Sequence, residues 1–311
     1  MSRILTSPDG TPASRFAFGT MQFGGRAGAG ASRAMYDACR AAGLNHFDTA
    51  YAYTDGQAET LLGQFARSER DALLIATKAG YTGGAGQRNL QAQFDDSRRR
   101  LGMDMVDILY LHRFDPETPL QDSLGWLAKQ KAAGSIRYLG LSNFAAWQVM
   151  KAMMLGAPLG LRVDVLQPMY SLVKRQAEAE ILPMCASEGI LAATYSPLGA
   201  GTLTGKYAAQ GAGRLTEDPR YRARYGHAWM DEAGGRLAEI ASGEGVHPAT
   251  LAVAWAAAHP ARPSPIISAR NTDQLAPSLA ALAFRMAPEL YARIAALTPA
   301  PPPADDRLEE A

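Results

Sequence analysis

Four polar residues of this chain are of types that together perform acid–base chemistry on a carbonyl group: Asp48, Tyr53, Lys78 and His112. A tyrosine, with a pKa of about 10, is a poor acid at neutral pH. A neighbouring ammonium such as that of Lys78 stabilises the phenolate and lowers this pKa. Asp48 can pair with the lysine, and His112 can hydrogen bond a substrate oxygen. Proteins have no hydride donor of their own, so reduction of the carbonyl implies a bound cofactor.

The elements that position these residues are short apolar runs, read as strands, that alternate with helix-length segments. Eight runs occur, at 16–20, 44–50, 72–78, 106–112, 136–143, 163–170, 189–197 and 264–269. Alternating strands and helices predict a parallel sheet. Eight such units in 311 residues favour a closed barrel over an open sheet. We therefore predict an α/β fold, a (β/α)8 TIM barrel, with one domain over residues 1–311.

Active sites of such barrels lie at the carboxyl ends of the strands, and polar residues recur there. Asp48, Lys78 and His112 end the second, third and fourth predicted strands, and Tyr53 lies in the loop after the second. Taken singly, each residue has an ordinary explanation as a cap, a loop residue or a core residue. Structural roles alone do not explain why all four residues occur at one rim, because buried charges are costly unless they are paired.

Two regions depart from the alternating pattern. Residues 196–228 form a Gly-, Arg- and Tyr-rich segment, which we predict to be a long functional loop. The tail at 299–311 is Pro-rich and then charged, which predicts a loosely ordered end.

Composition excludes several classes of partner. The formal net charge of +1 gives no electrostatic reason to expect a nucleic acid or an anionic membrane. The N-terminus lacks the pattern of a signal peptide, and no apolar run approaches the roughly 20 residues that span a bilayer. Cys39 and Cys185 are far apart in sequence and are predicted to be reduced, so we expect a cytoplasmic location. The five histidines show no metal-ligand spacing, and no metal site is predicted.

Seven segments resemble, in order, the motifs of the aldo-keto reductase family. They are "LNHFDTAYAYTDGQAETLLG" (44–63), "IATK" (75–78), "DILYLHRFD" (107–115), "GSIRYLGLSNF" (134–144), "LQPMYSLV" (166–173), "YSPLGAGTLTGKY" (195–207) and "ISARNTDQL" (267–275). The resemblance covers about residues 15 to 280.

The resemblance implies a catalytic tetrad of Asp48, Tyr53, Lys78 and His112, with Tyr53 as the proton donor. It also implies a nicotinamide cofactor, held along one side of the rim. The expected cofactor-binding residues are Thr20, Met21, Asp48, Ser142, Asn143, Gln167, Tyr195, Ser196, Pro197, Leu198, Gly201, Lys206, Ser268, Arg270 and Gln274. Among them, Tyr195 would stack on the nicotinamide ring, and Lys206 would lie at the pyrophosphate.

Arg270 favours NADP(H) over NAD(H), because a guanidinium suits bidentate contact with a 2′-phosphate. The chain departs from the family at Pro277 and Ser278, where an acidic residue and an asparagine often contact the adenine. The expected activity is reduction of a small carbonyl compound or sugar, or the reverse oxidation. Aromatic residues predicted to line the substrate pocket are Phe23, Tyr51, Tyr81, Phe114, Phe144 and Tyr170.

Two other functions fit parts of the sequence. A lyase that forms a Schiff base through Lys78 would explain a lysine at a strand end, but it would not explain "YSPLG" or Arg270. A non-catalytic, cofactor-binding barrel that serves as a redox-sensing subunit is the second alternative. Nothing in the sequence names one substrate or sets an oligomeric state.

Overall fold

Eight strands pair in chain order and close into a barrel in which every neighbouring pair is parallel. The computed structural model describes residues 4–207, 211 and 213–305. The strands are β1 Ala17–Gly19, β2 His46–Asp48, β3 Leu74–Ala79, β4 Val106–Leu111, β5 Ile136–Ser142, β6 Val163–Gln167, β7 Leu191–Tyr195 and β8 Ser264–Ile267. Each strand overlaps one of the eight predicted runs, so the predicted single-domain (β/α)8 TIM barrel is confirmed.

The helices surround the barrel and are named in chain order. They are α1 Ala29–Ala41, α2 Gln57–Ala66, α3 Gln87–Leu101, α4 Leu120–Ala132, α5 Ala146–Gly156, α6 Ile181–Glu188, α7 Arg214–Glu217, α8 Pro219–Tyr225, α9 Ala228–Gly243, α10 Pro248–Ala257, α11 Thr272–Ala280 and α12 Pro288–Ala295. Helix α3 illustrates their construction. Its buried stripe contains Leu90, Phe94 and Leu101, and Gly102, with a φ of 65°, ends it in the left-handed conformation.

The inside of the barrel is filled by side chains that alternate with those facing the helices. In β4, Ile108 and Tyr110 belong to the interior cluster, whereas Leu109 and Leu111 pack with the helices. Gly140 of β5 leaves room for the Tyr110 ring, because a Cβ at that position would lie 2.3 Å from a ring carbon. The interior is therefore a packed core beneath the rim.

The segment 196–228, predicted to be a long loop, is only partly irregular. It contains a 3-10 helix over Gly199–Thr204 and the two short helices α7 and α8. Helix α8 forms because Asp218 caps its N-terminus, accepting a hydrogen bond from the Arg220 amide, and Pro219 occupies the first turn. In the tail, residues 299–305 have no helix or strand, and 306–311 lie outside the described residues.

Three further observations concern the described part of the chain. None of its helices has the length and apolar character needed to cross a membrane. Within the same residues, no group of three His, Cys, Asp or Glu side chains forms a possible metal site. Cys39 and Cys185 are both buried free thiols.

Candidate active site

The strand register brings the four residues of the predicted tetrad to one end of the barrel. Asp48 is the last residue of β2, and Lys78 lies near the end of β3. The His112 amide donates to the carbonyl oxygen of Ala79 at 2.8 Å, which aligns the end of β4 with that of β3. Tyr53 follows β2 in the loop that leads to α2, and its ring lies 6.0 Å from the His112 ring.

Lys78 is the centre of this group and is completely buried. Its Nζ donates to Asp48 Oδ2 at 2.5 Å, to the Thr49 carbonyl oxygen at 2.7 Å and to the Tyr53 hydroxyl at 3.4 Å. Burial alone would lower the pKa of Lys78, but the charge of Asp48 and the contact with Tyr53 hold this pKa above its usual value. The lysine is therefore a fixed ammonium directed at the tyrosine hydroxyl.

Tyr53 has a raised pKa, which differs from the sequence-based expectation of a lowered one. Burial of the phenol is the largest cause and raises the pKa; the charge of Lys78 lowers it but offsets only part of the rise. The predicted effect of Lys78 is thus present but outweighed by desolvation. Tyr53 is protonated at neutral pH and holds a proton that it can donate.

His112 is neutral for a related reason. Burial, with the positive charges of Lys78 and Arg113, lowers the pKa of His112 to about 3. Its Nδ1 is enclosed and has no hydrogen-bond partner in the described part of the chain, so Nε2 is the nitrogen left for a ligand. A neutral imidazole at this place can hydrogen bond a substrate oxygen without adding a positive charge to the site.

The residues predicted to hold the nicotinamide amide form one hydrogen-bonded set. Ser142 Oγ donates to the Gln167 carbonyl oxygen at 3.1 Å, and Asn143 Nδ2 donates to the His112 carbonyl oxygen at 2.9 Å. The Tyr195 hydroxyl donates to Asn143 Oδ1 at 2.7 Å. Gln167 Nε2 donates to Asp48 Oδ1 at 2.9 Å, which links this set to the tetrad. Asn143 has a φ of 57°, in the left-handed region, which asparagine adopts more readily than most other residues.

The segment after β7, predicted to wrap the pyrophosphate, follows an unusual backbone path. Ser196 and Ala200 have φ values of 61° and 58°, in the left-handed region that non-glycine residues rarely adopt. Pro197 is buried and Leu198 half-buried between them. Gly201 lets the Lys206 side chain approach closely, because a Cβ there would lie 2.9 Å from Lys206 Cε.

Two residues predicted to bind the cofactor follow β1. The Thr20 amide and hydroxyl both donate to the Asp48 carbonyl oxygen, at 2.8 and 3.2 Å, which anchors this turn beside the tetrad. Met21 is the next residue and is half-buried.

The three residues predicted to hold the adenosine part of the cofactor, Ser268, Arg270 and Gln274, follow β8. The Arg270 amide donates to Gln274 Oε1 at 3.3 Å, at the start of α11. Ser268 Oγ is buried and has no hydrogen-bond partner within the described ranges. The Arg270 guanidinium contacts Glu217 Oε2 at 2.9 Å, and Arg26 contacts the same oxygen at 2.8 Å. Glu217 therefore connects the segments that follow β1 and β8 to α7.

Two of the six residues predicted to line the substrate pocket lie in the core instead, and a third contacts an arginine. Phe23 packs against Phe18 and Phe65 in the core. Tyr170 is fully buried and donates to Glu178, and the Tyr51 ring lies against Arg100. Residue type alone predicts aromatic side chains near the site, but it does not show whether a ring points into the pocket or into the core.

The other three predicted lining residues are near His112 or near one another. The Tyr81 ring lies 4.8 Å from that of His112. Phe114 contacts Phe144 edge-on at 5.5 Å and Trp147 at 6.0 Å. Trp147, at the start of α5, is 60% exposed and was missed by the sequence analysis, although it follows Phe144 by only three residues.

Two polar contacts were also missed. The backbone carbonyl of Thr49 accepts from Lys78, and no sequence pattern indicates a backbone acceptor. Glu217 contacts Arg270, and the two residues are 53 positions apart, so no local pattern indicates this pair.

Comparison of the sequence with known proteins identifies the family of this chain. A family model described as "Aldo/keto reductase family" matches residues 15–299. A probable voltage-gated potassium channel subunit beta from Oryza sativa subsp. japonica is 31% identical, with 94% of this chain and 95% of the relative covered. The protein tas of Escherichia coli (strain K12) is 30% identical, with 91% and 94% covered.

A further relative is named for an activity. Aflatoxin B1 aldehyde reductase member 2 from Rattus norvegicus is 35% identical, with 68% of this chain and 59% of the relative covered. Members of this family are in general oxidoreductases that use NAD(P)H and act on small-molecule carbonyl substrates. The family match spans all eight strands and the whole rim, and the chain belongs to the aldo/keto reductase family.

Proposed function

We propose that the protein is an NADP(H)-dependent oxidoreductase that reduces the carbonyl group of a small aldehyde, ketone or sugar, or oxidises the alcohol, with Tyr53 as the general acid–base. One observation carries the proposal: the Lys78 ammonium, held by Asp48, lies 3.4 Å from the Tyr53 hydroxyl, beside a neutral His112. Family membership supports the same class of reaction.

Each of the four residues has a distinct task in the proposed reaction. His112 Nε2 hydrogen bonds the carbonyl oxygen and positions it at the Tyr53 hydroxyl. Tyr53 donates its proton to that oxygen as negative charge develops there, and the Lys78 ammonium stabilises the phenolate that remains. Asp48 keeps Lys78 charged and in place. Solvent then returns a proton to Tyr53, and the reverse direction uses the phenolate as the base.

The cofactor-binding residues of the proposal are those that the sequence predicts. When bound, NADPH supplies the hydride that reduces the carbonyl carbon. Ser142, Asn143 and Gln167 would hold the nicotinamide amide, and Tyr195 would stack on its ring. The buried Ser268 hydroxyl, without a partner among the described residues, fits a ligand that provides one.

The other residues that we propose to bind the cofactor form three groups along the rim. Thr20, Met21 and Asp48 border the nicotinamide end. Ser196, Pro197, Leu198, Gly201 and Lys206 would surround the pyrophosphate, and Gln274 would lie at the adenosine. Arg270 supports NADP(H), because its guanidinium already binds one anionic oxygen, that of Glu217, at 2.9 Å.

A redox-sensing subunit is the second candidate function. It is favoured by the 31% identity to a probable potassium channel subunit beta over nearly the full length of both chains. The Schiff-base alternative is disfavoured, because that chemistry needs a neutral, accessible amine and Lys78 is a buried ammonium paired with Asp48. Steady-state turnover of a carbonyl substrate separates the reductase from the sensor.

The first experiment is a fluorescence titration of the protein with NADPH and, separately, with NADH. The proposal predicts tight binding of NADPH and weaker binding of NADH. A panel of aldehydes, ketones and sugars then tests turnover. Binding of neither dinucleotide would overturn the proposal, and binding without turnover of any compound would favour the sensor.

A Tyr53→Phe variant tests the acid–base role. Because Tyr53 acts mainly in the transition state, kcat should fall by about 10²–10⁴-fold while the Kd for NADPH changes little. Ser7→Ala, at the opposite end of the barrel, is the control for a lost hydroxyl. Full activity of Tyr53→Phe would refute the mechanism.

A cytoplasmic location remains part of the proposal. Its support is that Cys39 and Cys185 are free, buried thiols, which suit a reducing compartment.

A further inference from the structure

A second tyrosine lies against the ammonium of Lys78. Tyr110, in β4, is completely buried and belongs to the interior cluster of the barrel. Lys78 Nζ lies over both tyrosine rings, 5.0 Å from the centre of the Tyr53 ring and 5.7 Å from the centre of the Tyr110 ring. Both distances are within the roughly 6 Å over which an aromatic face attracts a cation. The proposed reaction uses Tyr53 and so far gives Tyr110 no task.

The strand register places Tyr110 directly between Lys78 and a glycine. Tyr110 pairs with Lys78 of β3 on one side and with Gly140 of β5 on the other. A Cβ at Gly140 would lie 2.3, 2.6 and 2.7 Å from three carbon atoms of the Tyr110 ring, so the ring rests on the backbone of this glycine. The missing side chain at Gly140 therefore determines where the ring lies, and a larger residue there would displace it.

The hydrogen bonds of Lys78 show by which part Tyr110 can act. An ammonium has three N–H donors. Those of Lys78 are directed at Asp48 Oδ2, at the Thr49 carbonyl oxygen and at the Tyr53 hydroxyl. No donor is left for the Tyr110 hydroxyl, so Tyr110 meets the ammonium through the face of its ring. A phenylalanine ring would make the same contact.

The hydrogen bond to Tyr53 is the one that depends most on the exact place of the lysine. It is 3.4 Å long, whereas the bonds to Asp48 and Thr49 are 2.5 and 2.7 Å. A small shift of the ammonium toward its two closer partners would break it. The Tyr110 ring fills the space beside the ammonium in the interior, and loss of the ring would leave a cavity into which the lysine side chain can move.

These contacts give Tyr110 a task in the proposed reaction. We propose that Tyr110 is a positioning residue, whose ring, resting on Gly140, holds the Lys78 ammonium at the Tyr53 hydroxyl. This inference rests on the proposed reductase function and extends it to a residue of the barrel interior. The ring face stabilises the cation without competing for its hydrogen bonds. Tyr110 should therefore affect proton transfer and not the binding of the cofactor.

Four variants separate the effects of the ring, the hydroxyl and the fold. Tyr110→Leu removes the ring, and Tyr110→Phe removes only the hydroxyl. Gly140→Ala keeps the ring but displaces it, which tests the same contact if Tyr110→Leu does not fold. Tyr138→Leu is the matched control: Tyr138 is an interior tyrosine of β5, two residues before Gly140, and its hydroxyl accepts from the Thr6 amide at 3.1 Å.

The first readout is the rate of a single turnover. The protein with bound NADPH is mixed with 4-nitrobenzaldehyde, and the loss of NADPH absorbance reports the chemical step apart from product release. We expect Tyr110→Leu to lower this rate about 10-fold and Gly140→Ala to lower it by a smaller factor. Tyr110→Phe and Tyr138→Leu should stay within about 2-fold of the wild type. The Kd for NADPH should be the same in all four variants.

The second readout is the pH dependence of the reverse reaction, oxidation of 4-nitrobenzyl alcohol with NADP⁺. Its rate rises as Tyr53 becomes a phenolate. The charge of Lys78 lowers the pKa of Tyr53, although burial raises this pKa more. If Lys78 moves away, the lowering weakens, so the midpoint of the rise should move to higher pH by about 0.5–1 unit in Tyr110→Leu.

The controls should keep the wild-type midpoint. A general loosening of the core would not change the charge next to Tyr53, so Tyr138→Leu should not move it. Tyr110→Phe keeps the ring and should not move it either. The variants leave in place the other ionisable groups that face Tyr53, which are Asp48, His112, Tyr195 and Tyr221.

A measurement on Lys78 itself keeps the inference testable without turnover. The lysine ammonium signals of the ¹⁵N-labelled protein are recorded by NMR, and the Lys78 signal is identified by its absence from Lys78→Met. Tyr110→Leu should move this signal and speed the exchange of its hydrogens with water, whereas Tyr110→Phe should leave both unchanged. An unmoved signal in Tyr110→Leu would show that the ring does not hold the lysine.

The three readouts distinguish failure of this inference from failure of the proposed function. Tyr110→Leu with the wild-type single-turnover rate and midpoint refutes the inference and leaves the reductase function intact. Equal losses in Tyr110→Leu and Tyr110→Phe, or in Tyr110→Leu and Tyr138→Leu, also refute it. If the Lys78 signal moves as expected but the wild-type protein reduces no carbonyl compound, the reductase function fails and Tyr110 stands as the residue that fixes the lysine.

Discussion

Replacement of Lys78 by methionine tests the electrostatic centre of the site through stability as well as activity. The substitution removes the partner of Asp48, which is itself almost completely buried. At the 2.5 Å separation of Lys78 Nζ and Asp48 Oδ2 and an effective dielectric constant of about 20, the attraction between the charges is about 7 kcal/mol. Desolvation of both groups offsets much of this energy.

The net cost of the single substitution follows from what is left behind. In Lys78→Met, the hydrogen bond from Gln167 is the one that the described residues still give to the Asp48 carboxylate, and the Thr49 carbonyl loses its lysine donor. Removing one partner of a buried ion pair costs about 3–5 kcal/mol in the free energy of unfolding. The double variant Asp48→Asn/Lys78→Met leaves no charge at these two positions and should recover most of that loss. It should not recover activity, because Tyr53 still lacks its ammonium.

Urea unfolding followed by circular dichroism at pH 7 measures the three free energies of unfolding, and steady-state kinetics measures kcat. Both variants should lose at least about 100-fold in kcat. A Lys78→Met protein as stable as the wild type would refute the argument that the pair is buried and coupled. A double variant with wild-type activity would refute the role of Lys78 in catalysis.

Three other perturbations give distinct outcomes. Burial lowers the pKa of His46 to about 4 and that of His112 to about 3. Between about pH 6.5 and pH 4, therefore, only the unfolded chain takes up these two protons. The free energy of unfolding should therefore fall on acidification. These two residues together should lower it by up to about 2.7 kcal/mol per pH unit near pH 5. A free energy of unfolding that does not change between pH 7 and pH 5 would contradict this reasoning. Arg270→Ala should raise the Kd for NADPH by at least about 10-fold and that for NADH much less, and equal losses would exclude contact with the 2′-phosphate. Gly140→Ala should cost about 1–3 kcal/mol of stability because the new methyl group meets the Tyr110 ring, and unchanged thermal unfolding would show that the ring moves aside freely.

The sequence predicted the barrel and the grouping of the tetrad because both depend on local patterns. Apolar runs and their spacing set the strands, and the residue at the end of each strand must lie on the rim. Helices α9, α11 and α12 were not predicted as elements. Helix α9 contains the adjacent residues Gly234 and Gly235, and α11 contains Pro277, which obscure a helical pattern.

Features that depend on burial or on contacts between residues distant in the chain could not be predicted from the sequence. The pKa of Tyr53 was predicted to be lowered by Lys78, but burial of the phenol exceeds that effect. The aromatic residues Phe23 and Tyr170 were assigned to the pocket and belong to the core. Neither the depth of a side chain nor the direction of an aromatic ring is encoded in residue type or spacing.

The hydrogen bond from Gln167 to Asp48 has a consequence for how this protein assembles. All four proposed catalytic residues come from the first half of the barrel, β1 to β4, whereas Gln167 and Tyr195 come from the second half. The Asp48 carboxylate receives Lys78 from its own half and Gln167 from the other, 119 residues along the chain. A fragment of the first half would thus contain every proposed catalytic side chain but would lack the Gln167 hydrogen bond that helps to orient Asp48. Enzymatic activity should appear only when the two halves of the barrel close on each other, so an activity assay would report closure of the barrel.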